Sequence, residues 1–283
     1  MKKEKKLRER SFKLPIFKWV LWMIFTMVIV NIFTMFAAAF TRNESVLGFM
    51  AVLGGVFMLF VFKWHYRRSG FRGFLGGDRP TAWRLMLPEI IYCIISIVFA
   101  TIPPSVYSMV FALEAGVLEE VLFRALPIAL LMRAWNFDEK RMPLIQWITA
   151  LVFGLMHISN VMAGAALGVS VYQAVLCVTT GVFFGAIFIR TGNLLPLMFS
   201  HFLQDAIAFL NEASNTGGIM GAVTLRADVV FDIVFSVVMI IMGIWYMRSE
   251  KRAEAAAVWK EIWSVKDSGP EAAEEIRELT EEE

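Results

Sequence analysis

Charged and ionisable side chains occur in this sequence as pairs one helical turn apart, within long apolar stretches. The segment "EEVLFR" places Glu120 four residues before Arg124, and "HFLQD" places His201 four residues before Asp205. Residues four apart share one face of a helix, so the members of each pair can act together. Because such groups are costly to bury in an apolar setting, they are candidates for function.

Glu119, His157 and His201 have the side chains needed to activate water. On a helix Glu119 points about 100° away from Glu120, so an ion pair between Glu120 and Arg124 leaves Glu119 facing something else. His157 lies in "FGLMH", in a different apolar run from His201. A carboxylate and an imidazole can deprotonate a water aimed at a carbonyl. A second imidazole can stabilise the oxyanion that forms.

The same residues allow two other interpretations. Two histidines and a carboxylate can hold zinc with an open coordination position, and the ligands would then be Glu119, His157 and His201. The spacing lacks the HExxH pattern of many zinc proteases, and we expect that any metal is not essential. Alternatively, the Glu–Arg pair is a structural salt bridge, and each histidine is a hydrogen-bonding group between helices.

Composition and hydropathy indicate a polytopic membrane protein. Hydrophobic residues make up 58% of the 283 residues, whereas an ordinary soluble domain has about 45–50%. A spanning helix needs about 20 apolar residues, and several segments approach that length. The fold class is therefore all-α, with about eight transmembrane helices. The predicted spans are 17–40, 46–63, 84–101, 106–133, 143–163, 171–190, 194–211 and 229–247.

Lysine and arginine are distributed unevenly between the two sides of the predicted membrane domain. They are frequent at the N-terminus and after the second, fourth, sixth and eighth spans, and scarce in the other loops. This bias marks cytoplasmic segments, so both termini are expected in the cytoplasm. The predicted regions are a basic cytoplasmic N-terminus (1–15), a transmembrane domain (16–247) and an acidic cytoplasmic C-terminal tail (248–283). We expect a multi-pass protein of the cell membrane, in contact with lipid and with no nucleic-acid partner.

Small and isolated polar residues within the spans predict how the helices pack. Gly116 precedes Glu119 by three residues and Gly154 precedes His157 by three, and small residues there let backbones approach closely. We therefore expect the fourth, fifth and seventh spans to converge. Four further polar residues are expected to cap helices, to hydrogen-bond across helices or to face an interface: Asn31, Glu89, Glu114 and Asp232.

The three polar segments, taken in order, resemble the motifs of a known family. "EEVLFR", "FGLMH" and "HFLQD" match EExxxR, FxxxH and HxxxN/D. This set resembles the CPBP (CAAX protease and bacteriocin-processing) family, also called Abi, which includes the type II CAAX prenyl endopeptidases. The resemblance covers residues 107–211 and implies an eight-helix intramembrane endopeptidase. The family is often labelled a metalloprotease, although a metal-free glutamate mechanism has been advanced for it.

The resemblance also implies roles for single residues. Glu119 and His157 correspond to a general-base pair that activates water, and His201 and Asp205 correspond to groups that stabilise the transition state. Asp205 stands where the prenyl proteases have asparagine, whose amide can donate a hydrogen bond to an oxyanion, whereas an ionised aspartate cannot. Asp205 is therefore expected to carry a proton, to orient His201, or to belong to a cation site.

The predicted function is hydrolysis of a peptide bond in a membrane-associated substrate, with Glu120 and Arg124 as supporting residues. The substrate would be prenylated or bacteriocin-like, and the aspartate at position 205 favours the wider, bacterial-type part of the family. The alternative is a non-hydrolytic membrane protein, either a proton-coupled transporter or a scaffold that keeps the Glu/His cluster as a structural network. Against transport, the sequence shows no inverted repeat and no matching pair of Gly/Pro-broken spans.

Overall fold

Every regular element of the described structure is a helix. The computed structural model describes residues 2–67, 71–98, 105–214 and 227–263, and over these residues the predicted spans all fall on helices, which confirms the all-α fold class. The α-helices in chain order are α1 (Lys2–Ala38), α2 (Glu44–Arg67), α3 (Arg79–Val98), α4 (Val106–Glu120), α5 (Leu126–Ala134), α6 (Met142–Met156), α7 (Leu167–Thr191), α8 (Leu195–Ser214), α9 (Ala227–Tyr246) and α10 (Ser249–Ile262).

Several of these helices are long and apolar enough to cross a membrane, so the protein is a multi-pass membrane protein. A further helix pair, Asp232–Tyr246 and Ser249–Ile262, has the required length and composition when taken together and is bent by 71°. The count of eight crossings and the cytoplasmic position of the termini stay predictions. Within the described ranges, four helices are each long and apolar enough to span a membrane on their own. They are Ile16–Ala38, Glu44–Arg67, Glu139–Met162 and Leu167–Thr191.

Local sequence signals define the ends of the helices that carry the polar motifs. Ser105 caps α4: its Oγ accepts from the Ser108 N–H at 3.0 Å, and the Ser108 Oγ accepts from the Ser105 N–H at 3.2 Å. This reciprocal arrangement satisfies two backbone donors that a helix start otherwise leaves unpaired. Helix α7 ends at Gly192, whose φ of 63° is left-handed and favours glycine. The chain therefore turns sharply into α8.

Two glycines allow close helix crossings around the polar motifs. A Cβ on Gly116 of α4 would lie 2.8 Å from the Met198 carbonyl oxygen of α8. A Cβ on Gly154 of α6 would lie 2.6 Å from the Ala174 carbonyl oxygen of α7. The fourth and seventh predicted spans thus meet at Gly116, as expected. Gly154, however, brings the fifth span against the sixth, because its bare face is turned to α7.

The turn between α7 and α8 is held from two sides by distant parts of the chain. The side-chain amide of Asn193 donates to the Leu75 carbonyl at 2.9 Å, in the segment that precedes α3. The Trp259 indole of α10 donates to the Ile189 carbonyl of α7 at 2.6 Å, and this tryptophan is fully buried. These contacts fix the start of α8, which carries the third polar motif.

The predicted division into three regions stays a prediction. The backbone of α1 runs without interruption from Lys2 into the first apolar stretch. At the other end, α10 belongs to the packed structure, because Ala255, Trp259 and Ile262 bury one face of it. The acidic end of the predicted tail, residues 264–283, lies outside the described residues.

We predict that Gly154→Ala destabilises the protein. The added Cβ would overlap the Val178 Cγ2 atom as well as the Ala174 carbonyl, so α6 and α7 would have to separate. Overpacking of this kind lowers the free energy of unfolding by about 1–3 kcal/mol, which thermal unfolding of the purified protein would report. Gly168→Ala on α7 is the control, because a Cβ there meets nothing within 4 Å. Equal unfolding midpoints for the two variants would contradict the prediction.

Candidate active site

A π-helical turn interrupts the helix that carries the first motif. Between α4 and α5, residues Val121–Ala125 form one wide turn in which the Leu126 N–H bonds to the Val121 carbonyl, five residues back. All residues of the turn are buried, including Arg124. Single π-helical turns inside α-helices are frequent at functional sites. Nothing in the sequence predicts this turn, because "EEVLFRAL" has the composition of an ordinary α-helix.

Glu120 is the buried centre of the polar cluster. One of its carboxylate oxygens, Oε1, accepts a hydrogen bond from His201 Nδ1 at 2.8 Å and lies 3.2 Å from Arg124 Nη1. The side chains of Glu120 and Arg124 are almost completely inaccessible. The predicted ion pair between positions 120 and 124 is therefore present, and it also includes the histidine of the third motif.

Phe153, the first residue of the second motif, supports both neighbouring motifs. The Arg124 guanidinium carbon lies 3.7 Å from the centre of the Phe153 ring, which is a close cation–π contact. The Phe153 carbonyl accepts from His157 Nδ1 at 2.9 Å. The motif spacing placed Phe153 one turn before His157, but nothing in the sequence identified the arginine as the partner of its ring.

Glu119 faces the Nε2 atoms of both histidines, whereas Glu120 contacts His201 at Nδ1. Its Oε2 atom lies 4.0 Å from His157 Nε2 and 3.7 Å from His201 Nε2. This oxygen has no hydrogen-bond partner among the described residues. The Glu119 side chain is 30% exposed, whereas that of Glu120 is 0% exposed. The Glu119 oxygen thus lies within 4.0 Å of one imidazole nitrogen from each of the other two motifs.

The hydrogen bonds of the two imidazoles fix which nitrogen faces Glu119. A carbonyl oxygen can only accept, so His157 carries its proton on Nδ1 and turns Nε2 towards Glu119. The Nδ1 of His201 bonds to the Glu120 carboxylate, which also directs Nε2 towards Glu119. Anchoring of one ring nitrogen in this way sets the tautomer and orientation of a functional histidine.

Asp205 completes the cluster on α8. Its Oδ2 atom lies 3.7 Å from His201 Nε2, so two carboxylates, Asp205 and Glu119, face the same imidazole nitrogen at equal distances. Of the three roles that the sequence left open for Asp205, this geometry favours orienting His201. The catalytic roles of these side chains stay predictions.

The cluster lines a cavity of about 520 Å³ between several helices. Its walls come from α3, α4, α6, α7, α8 and α9, and most of the lining side chains are polar or ionisable. A cavity of this size that gathers several ionisable side chains inside an apolar bundle is the default candidate for a substrate site. Beyond the motif residues, its polar lining includes Asn160, Gln173, Gln204, Asp232 and Ser236.

The isolated polar residues are partly explained by this cavity. The Tyr172 hydroxyl donates to Asp232 at 2.6 Å, between α7 and α9, and the Gln204 amide donates to Glu89 at 2.5 Å, between α8 and α3. Of the three roles that the sequence left open for Glu89 and Asp232, these contacts are the cross-helix hydrogen bonds. Asn31 instead donates to a carbonyl of its own helix, that of Met27. Glu114 is half-buried on α4.

The donor set does not fit a zinc ion as it is arranged. Donors in a tetrahedral zinc shell lie about 3.4 Å from one another, whereas the Glu119 oxygen is 3.7 and 4.0 Å from the two imidazole nitrogens. Within the described residues, no group of three His, Cys, Asp or Glu side chains has a geometry that holds a metal. We therefore derive no catalytic step from a metal.

These features define a class: an all-α membrane protein with a buried Glu/His cluster in an intramembrane cavity. Residues 101–207 match the family model described as "Type II CAAX prenyl endopeptidase Rce1-like". The match spans all three polar motifs and confirms the predicted relationship to the CAAX protease family over that part of the chain. It indicates an endopeptidase. No curated protein and no solved structure was found to match the chain.

We predict that Glu120→Leu is strongly destabilising and that Glu120→Leu/Arg124→Met recovers most of the loss. Removing one member of a buried ion pair leaves an uncompensated charge, at a cost of about 3–5 kcal/mol, whereas two apolar replacements are close to neutral. The midpoint of thermal unfolding measures both variants.

The control for this pair is Glu250→Leu, which breaks an ion pair with Arg248 at 3.5 Å in which Glu250 is 80% exposed. An exposed pair contributes only about 0–1 kcal/mol, so this variant should unfold close to the wild type. A double variant no more stable than Glu120→Leu alone would show that the buried charge is not the cause.

Proposed function

We propose that the protein is an intramembrane endopeptidase of the cell membrane in which Glu119 and His157 activate water. The supporting observation is that Glu119 Oε2 lies within 4.0 Å of the Nε2 atoms of both His157 and His201. The family match supports the reaction class. The substrate is a peptide segment associated with the membrane, prenylated or bacteriocin-like, whose scissile bond enters the cavity.

The first step is attack by water. A water molecule that bridges Glu119 Oε2 and His157 Nε2 donates one hydrogen bond to each, because both atoms are acceptors. Glu119 takes a proton as the water oxygen attacks the carbonyl carbon of the substrate. His157 keeps its own proton on Nδ1, bonded to the Phe153 carbonyl. Its Nε2 therefore remains an acceptor that orients the water.

The second step is stabilisation and collapse of the tetrahedral intermediate. When His201 is protonated, its Nδ1–H binds Glu120 and its Nε2–H is available to the oxyanion. Asp205, at 3.7 Å from Nε2, orients the ring and balances its charge. The proton held by Glu119 then passes to the leaving amine and the C–N bond breaks. The second proton of the water leaves the new carboxylic acid for the amine, so the products are a carboxylate and an ammonium group.

We predict that Glu119→Gln and His157→Ala abolish peptide cleavage without preventing folding. Removing a general base lowers the rate by about 10²–10⁴-fold, and glutamine preserves the volume of the side chain. The measurement starts from membranes of cells with and without the protein, whose peptides are compared by mass spectrometry to identify cleaved sequences. Purified variants in lipid nanodiscs are then assayed on a synthetic peptide that spans a cleavage site.

Glu250→Gln is the matched control, because Glu250 lies on the exposed face of α10. The assay uses each peptide with and without its prenyl group where the cleaved sequence carries one. Wild-type turnover retained by Glu119→Gln or by His157→Ala would refute the assignment of the base.

We also predict that cleavage survives chelation. The Glu119 carboxylate supplies the base, so treatment with EDTA or phenanthroline should leave the rate within about two-fold of the untreated enzyme. Metal analysis of the same purified sample serves as the parallel measurement. Loss of activity that zinc restores would contradict the mechanism and would make Glu119, His157 and His201 the ligands to test.

A further inference from the structure

Glu89 is a buried acid that the proposed reaction does not use. It lies on α3, outside the segment that matches the family model, and is 1% exposed. Its Oε1 accepts from the Gln204 amide at 2.5 Å and lies 3.6 Å from the Cys93 Sγ. Its second oxygen, Oε2, is buried and has no hydrogen-bond partner among the described residues.

Such a side chain is unfavourable for stability. A buried carboxyl group with one unpaired oxygen loses its hydration and regains only part of it through hydrogen bonds. A leucine or methionine at this position of an apolar helix would avoid that loss. The cost of burying Glu89 therefore calls for an explanation, and its hydrogen bond to Gln204 offers one.

Gln204 shares a helix face with the third polar motif. On α8, His201, Gln204 and Asp205 follow one another at intervals of three and one, and all three line the cavity. A glutamine amide has one donor end and one acceptor end. Because Glu89 accepts from one N–H at the nitrogen end, the Gln204 amide has its carbonyl oxygen and one further N–H for other partners. A hydrogen bond at the nitrogen also polarises the carbonyl and makes it a better acceptor.

We propose that Gln204 binds the substrate, through a hydrogen bond from a peptide N–H near the scissile bond to its amide oxygen. Glu89 is the positioning residue that holds this amide in its orientation. A peptide that enters a cavity poor in water must find acceptors for its backbone N–H groups, since an unpaired one is costly. Gln204 lies beside Asp205 and one turn from His201, so it meets the backbone next to the reacting carbonyl. This inference rests on the proposed function.

The experiment replaces single N–H groups of the substrate. The probe is the synthetic peptide that spans a cleavage site, with each backbone amide in turn replaced by an ester, which removes the N–H and keeps the shape. Binding is measured by fluorescence anisotropy in nanodiscs on the Glu119→Gln background, so no hydrolysis is needed. One ester position should weaken binding about five- to ten-fold, the size expected for one neutral hydrogen bond.

The variants separate recognition from a structural role. Gln204→Met should bind the unmodified peptide as weakly as it binds the ester analogue. The discrimination, meaning the difference in affinity between amide and ester at that position, is then lost. Glu89→Met should act like Gln204→Met, whereas Glu89→Gln, which keeps an acceptor oxygen for the Gln204 amide, should restore the discrimination. A merely structural role would weaken all ester analogues equally.

The matched control is Gln173→Met, which removes another amide from the same cavity wall and should keep the discrimination. The inference is overturned if Gln204→Met retains the ester effect, or if Glu89→Gln and Glu89→Met behave alike. Turnover of the unmodified peptide by the wild type tests the proposed function separately, because the anisotropy series reports binding alone.

Discussion

The buried carboxylate of Glu120 is the constraint on which the rest of the site depends. A single oxygen accepts from His201 at 2.8 Å and neutralises Arg124 at 3.2 Å. Arg124 in turn stacks on Phe153, whose carbonyl holds His157. Three helices and the π-helical turn are thus joined through one group that has no access to water. The two imidazoles need no hydrogen bond to Glu119 to keep their orientation, because each is held at Nδ1.

Glu119 and Glu120 show how adjacent residues of one type acquire different properties. The helix separates them by about 100°, so one side chain enters the buried ion-pair network and the other reaches the cavity. Glu120 is 0% exposed and Glu119 is 30% exposed. Glu120 is held by two opposite partners, His201 and Arg124, which favour its ionised form. Glu119 has no such bond at Oε2, so the two adjacent acids have different surroundings.

Local periodicity predicted much of the fold and of the site. The apolar runs identified the helices, and intervals of four residues identified the Glu120–Arg124 pair and the face shared by His201 and Asp205. The partners that periodicity does not encode were missed. Gln204 and Glu89 are separated by 115 positions, and the turn at Asn193 is held by segments distant in sequence. Only the tertiary fold brings such residues together, so their spacing in the sequence does not predict the contact.

The wide turn at Val121–Ala125 has a consequence for the alignment of the two helices that it joins. Each residue of an α-helix advances the chain by about 100°, so the extra residue in this turn sets α5 back by about that angle relative to a continuous rod. The turn therefore changes which residues of α4 and α5 lie on the same side. A face extrapolated from α4 in steps of 3.6 residues would misassign the side chains of α5, most of which are buried.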